Sequence, residues 1–162
     1  MTSSEPNVVG SVDVGVNLKD GVLGFSYLGE SFKTPAGGQM SGIVLVTTGD
    51  IDLSNTPPGN VRITVSLEDT AFGAGCRFPN DPWQAVALAA ASDSGPPPQP
   101  VFDKSRWPAN FLAPSVSADR RSVTWVDLES DQTVYEYSVA IDGPQGRVVL
   151  DPKIKPGGST NR

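Results

Sequence analysis

Between Ser11 and Leu18 the chain alternates without a break: Val12, Val14, Val16 and Leu18 fall on one side, Ser11, Asp13, Gly15 and Asn17 on the other. Successive side chains of a strand point to opposite faces, so this pattern spells a half-buried strand and does not line one side of a helix. It returns at Val61–Asp69, where Val61, Ile63, Val65 and Leu67 alternate with Arg62, Thr64, Ser66 and Glu68. It returns again at Thr133–Asp142, where Tyr135, Tyr137, Val139 and Ile141 alternate with Val134, Glu136, Ser138 and Ala140. The apolar sides, with Trp125, predict a core of Val12, Val14, Val16, Ile63, Val65, Trp125, Tyr137, Val139 and Ile141.

Turns separate these runs. Lys19-Asp20-Gly21 tolerates the positive φ of a tight hairpin, and Val22–Leu28 returns as its second strand with Leu23, Phe25 and Tyr27 on one face. Gly143-Pro144-Gln145-Gly146 reads as another hairpin loop, leading to a last strand at Arg147–Leu150. Further short strands are expected at Gly42–Thr48 and Ser122–Leu128. With 17 Gly and 15 Pro, the chain is turn-dense, which favours sandwiches over helical bundles. The expectation is an all-β, antiparallel, immunoglobulin-like β-sandwich of seven to nine strands. It occupies residues 8–155 as a single domain between disordered tails at 1–7 and 156–162. Residues 83–91 carry a mixed signal. Asp81 as N-cap and Pro82 at the first position favour a helix, whereas the all-β surroundings favour a strand, and strand is the expectation. Ser92–Pro100, with three consecutive prolines, reads as a stiff surface loop or as a ligand for an SH3-like groove.

Net charge is −6 with the basic residues scattered, which disfavours nucleic acid and anionic membranes as partners. No run approaches the roughly 20 apolar residues of a membrane helix. The first residues lack a basic segment followed by an apolar one, so a cytoplasmic location is expected. A lone Cys76 forbids an internal disulfide.

Chemistry is thinly marked. Histidine is absent, which removes Ser-His-Asp and Cys-His nucleophilic sites and any His-ligated metal. Cys76 has no activating base marked by a motif and reads as a small core residue. Asp127, Glu129 and Asp131 share one face of a strand, a spacing that suits weak Ca²⁺ binding or simply a solvated face. Asp50 and Asp52 repeat that spacing beside a loop. Two carboxylates can act as acid and base in glycoside hydrolysis, but no motif brings a pair together. No phosphate-cradling glycine loop is present. The expectation is therefore no catalytic residue and no cofactor. Trp83 and Trp107 fall in proline-rich loops, where they can stack on a sugar, anchor a partner or cap the end of a sandwich.

Tyr135-Glu136-Tyr137-Ser138-Val139, a glycine hairpin, and Val149-Leu150-Asp151-Pro152-Lys153-Ile154 together resemble the ending of the DP-EP family of small bacterial β-sandwich proteins. The PixA/AidA inclusion-body proteins end similarly. Arg77-Phe78-Pro79-Asn80-Asp81-Pro82 resembles the F-x-x-D-P turn in the middle of such chains. The resemblance implies an immunoglobulin-like sandwich, a bacterial origin and no catalytic residues. Within it, Asp151 and Pro152 read as a structural terminator. Pro152 has no N–H to give a ladder, so the last strand should stop near Leu150 or run on only as an edge.

These readings converge on a non-enzymatic protein with a structural or protein-interaction role, possible as a homo-oligomer or with another protein partner. The alternative is a small-ligand module that binds carbohydrate or Ca²⁺ through loop aromatics and carboxylates. A binding module should show a concave aromatic pocket near Trp83 or Trp107, an interaction protein an exposed apolar sheet edge or face, and an enzyme two carboxylates converging in a cleft.

Overall fold

The computed structural model describes residues 8–32, 44–45, 50–52, 59–90, 100–128, 135–150 and 153–155. Seven strands of five residues or more build it: β1 (Val8–Lys19), β2 (Val22–Phe32), β5 (Asn60–Leu67), β6 (Val86–Ala90), β8 (Ser122–Asp127), β9 (Tyr135–Gly143) and β10 (Gly146–Leu150). Four shorter ones complete the sheets: β3 (Val44–Leu45), β4 (Asp50–Asp52), β7 (Ser115–Val116) and β11 (Lys153–Lys155). The only helical pieces among the described residues are α1 (Asp69–Phe72), α2 (Pro82–Ala85) and a 3₁₀ turn at Lys104–Arg106. The all-β sandwich expected from the alternation is the observed architecture.

One sheet runs β2-β1-β5-β8-β7. The other runs β10-β9-β11-β4-β3, with β6 also paired to β9. Most pairs are antiparallel, but β1–β5 and β4–β11 are parallel. Parallel neighbours cannot be joined by a hairpin. The chain accordingly leaves the first sheet after β2, gives β3 and β4 to the second, and returns as β5 beside β1.

The predicted core is the observed one. Val12, Val14, Val16, Ile63, Val65, Trp125, Tyr137, Val139 and Ile141 are all buried. Trp125 of the first sheet packs on Tyr137 of the second, with ring centroids 5.5 Å apart. Cys76 is buried in the same core. On β9 the side expected to be polar is closed too: Ser138 and Ala140 are buried.

The hairpin turns follow their residues. Asp20 (φ 53°) and Gly21 (φ 77°) both take positive φ, the signature of the turn whose twist matches paired strands. The mixed signal at 83–91 resolves into both of its halves. The Asp81 carboxylate accepts the Trp83 N–H at 3.0 Å and caps one helical turn, and the chain then passes into β6, so strand alone was half of the answer. The end of the chain corrects another expectation. β10 does stop at Leu150, yet β11 lies between β9 and β4 and is not an edge. Leu150 pairs with Val139 and Lys153 with Glu136, three residues on in each strand, so the register is kept across the interval. Asp151 and Pro152 themselves lie outside the described residues, as do both tails and most of Ser92–Pro100.

An ion-paired network closes one end of the sandwich and ties the two sheets together. Arg147 holds Asp142 through two bonds of 2.6 and 3.2 Å, and Arg120 approaches the same carboxylate at 3.6 Å while donating to the Phe78 carbonyl at 2.7 Å. The Arg77 and Arg121 guanidiniums both lie over the Phe72 ring, 3.5 and 4.7 Å from its centroid. The bond from Arg147 holds the Asp142 carboxyl below the usual carboxylate range. A depressed carboxyl pKa gives stability that is present above the unfolded pKa and lost as pH falls through the folded one. Denaturation curves taken between about pH 6 and about pH 3 should therefore lose up to roughly 1 kcal/mol through this pair, the scale of a solvent-screened ion pair. Asp142→Asn should flatten that part of the slope, and an unchanged slope would contradict the assignment.

Candidate functional site

Among the described residues, those singled out in the sequence do not assemble into one site. Trp83 and Trp107 do meet, edge to face with centroids 5.6 Å apart, and Phe111 adds a second edge contact to Trp107 at 6.4 Å. Their geometry is that of a clasp. The Trp107 indole N–H donates to the Phe111 and Leu112 carbonyls at 2.9 and 3.1 Å, and Gln84 of α2 donates to the Phe102 carbonyl at 3.0 Å. Both tryptophans are half-buried and spent on fastening residues 100–112 to α2. Lys104 sits over Trp83 with its ammonium 5.8 Å from the ring centroid.

The carboxylate row is divided. Asp127 is half-buried at the end of β8, where it pairs with Val61 and bridges to Phe111. Glu129 and Asp131 lie outside the described residues. Among the described residues no three acidic, cysteine or histidine side chains group as metal ligands. Cys76, at 3% exposure, is closed to substrate.

Two features were not legible in the sequence. The first is the outer edge of β2. It ends the first sheet, with no strand beyond it among the described residues. Val22, Tyr27 and Leu28 stand 66%, 48% and 47% exposed along it, so apolar surface accompanies the open row of backbone donors and acceptors. Its register with β1 slips between Asp13 and Val14: Asp13 faces Gly29 and Val14 faces Tyr27, which makes Leu28 a bulge.

The second is a shallow depression on the outward face of the same sheet, with a cavity volume of about 270 Å³ lined by Leu28, Ser66, Leu67, Glu68, Asp69 and Arg121. Gly15 lets it form. A Cβ there would lie 2.4 Å from Ser26 Oγ, 2.9 Å from Glu68 Oε2 and 3.0 Å from Leu28 Cδ2. In the space a glycine leaves, Glu68 Oε2 accepts from the Ser26 hydroxyl and, at 3.4 Å, from the Asn17 amide. Arg121 is oriented by the Leu67 carbonyl at 2.8 Å and by Asp69 at 2.5 Å. The one signal that pointed here was a residue without a side chain among the outward positions of β1.

No helix among the described residues is long and apolar enough to cross a membrane. No family model matches the chain, and no curated protein matches it in sequence.

Proposed function

We propose that this chain is a non-enzymatic protein-interaction module of the bacterial cytoplasm that works by pairing the outer edge of β2 with a second copy of itself. The observation that carries the reading is the outer edge of β2, which has no strand beyond it among the described residues. Natural sheets blunt long edges with charge, proline or a covering loop. The Val22–Tyr27 stretch of β2, ahead of the bulge, is Val-Leu-Gly-Phe-Ser-Tyr, with no charge and no proline. Such a stretch meets no like charge when it pairs antiparallel with its own copy, and a two-fold arrangement closes on itself as a dimer. The likeness to DP-EP proteins fits a small two-sheet protein without catalytic residues. The unpaired Cys76 thiol suits a reducing compartment. The alternative, ligand capture by loop aromatics, has less support, because Trp107 has already committed its N–H within the chain.

Sedimentation velocity over a dilution series tests this. The wild-type protein should pass from dimer to monomer as it is diluted. Tyr27→Lys and Val22→Lys place charge on the edge at exposed positions, where substitutions move stability by only about 0.5 kcal/mol. Each should leave a folded monomer at concentrations where the wild type is dimeric. A wild type that is monomeric throughout, or variants that dimerise as the wild type does, would overturn the reading.

A further inference from the structure

We infer that the depression beneath Leu28 is a binding site for a neutral, polyhydroxylated ligand the size of one sugar ring. The site lies on the outward face of the sheet, and its Leu28 wall is the bulge of β2, beyond the Val22–Tyr27 stretch proposed to pair.

Some polar atoms around the depression are already used and others are not. Glu68 Oε2 is held by Ser26 and Asn17, whereas Oε1 has no hydrogen-bond partner among the described residues. Arg121 spends Nε on the Leu67 carbonyl and Nη2 on Asp69, which leaves Nη1 without a partner among the described residues. The Ser66 hydroxyl, on the outward side of β5, is likewise unclaimed among them. Residues carrying an acceptor, a donor and a group that can be either thus line one hollow, with Glu68 and Arg121 already oriented by their own neighbours. Leu28 supplies an apolar wall.

Hydrogen-bonding capacity decides the ligand class. Glu68 repels an anion, Asp69 neutralises Arg121 at 2.5 Å, and an acceptor left over beside a donor left over suits a group that both gives and accepts hydrogen bonds, which a bare cation does not. A hydroxyl gives its proton to a carboxylate and accepts one from a guanidinium, so adjacent hydroxyls satisfy both with no charge mismatch. The C–H face of a sugar ring then packs on Leu28. The volume, about 270 Å³, lies just below the ~300–1,000 Å³ of sites for drug-sized ligands and suits a single ring.

The test is a titration followed by amide NMR, with D-glucose, D-galactose and D-mannose as probes and methylammonium and acetate as charged controls. At least one sugar should shift the signals of Leu28, Ser66, Glu68, Asp69 and Arg121 saturably, with a millimolar Kd, while neither control does. Ser66→Ala should weaken that binding about fivefold and Glu68→Gln about tenfold or more, the scales of a neutral and a charge-assisted hydrogen bond. Ser66→Ala removes no side-chain hydrogen bond made among the described residues, so its effect reads the site, and an unchanged melting temperature confirms that stability is not what moved. The proposal is overturned if no sugar shifts these signals, if the shifts map elsewhere, if Ser66→Ala binds as the wild type does, or if a charged control shifts the same signals.

Discussion

Trp125→Ala lowers the free energy of unfolding by about 3–5 kcal/mol, measured from urea or guanidinium curves. Trp125 is 1% exposed, and its ring lies 5.5 Å from that of Tyr137 across the two layers, so truncation empties the centre of the sandwich. The indole also carries a cost. Its Nε1 is buried with no hydrogen-bond partner among the described residues, a situation that costs about 1–3 kcal/mol. Trp125→Phe keeps a ring against Tyr137 and removes that orphaned N–H, so its loss should be well under half that of the alanine variant. An alanine variant that loses less than about 1 kcal/mol would mean that the two sheets do not meet at this residue.

A second pair of substitutions should move stability in opposite directions on paired strands. Gly15→Ala forces a methyl into the space held by Ser26, Glu68 and Leu28 and should cost about 1–3 kcal/mol. Gly24→Ala places its Cβ 3.5 Å from Asn17 Oδ1, an ordinary contact, and should be neutral or stabilising by up to about 1 kcal/mol through a less flexible unfolded chain. Thermal or denaturant unfolding of the two variants side by side reads the contrast. Equal effects would show that the crowding over Gly15 is not what makes glycine necessary there.

The sequence was most legible where a residue's neighbours along the chain decide its fate. The strands β1 and β5, their apolar faces and the Asp20-Gly21 turn follow from spacing alone, because one-sided burial imposes a period of two; β9 keeps the same alternation although both its sides are closed. At 83–91 the Asp81 cap and the alanines favour a helix and the all-β surroundings a strand; the expectation of strand held for Val86–Ala90 and failed for Pro82–Ala85, because a single helical turn needs no partner helix. What was not legible depends on residues far apart in the chain. Asn17, Ser26 and Glu68 meet only because β1 lies between β2 and β5. That β2 is an outer strand is a property of sheet order, which alternation does not encode. Trp83 and Trp107 were candidates for a binding platform because aromatic residues in loops have that use. Their mutual contact and the bonds to Phe111 and Leu112 turn them into a fastening.

The central claim is that the outer edge of β2 is covered by another copy in solution. Hydrogen exchange of the backbone amides measures this most directly. In an antiparallel ladder alternate N–H groups point away from the partner strand, so those of Val22–Tyr27 that turn away from β1 face water in a monomer. The account predicts that these amides are protected at high protein concentration, lose their protection on dilution, and are unprotected at every concentration in Tyr27→Lys. Outward amides of β2 that exchange freely in the wild type at all concentrations would contradict it.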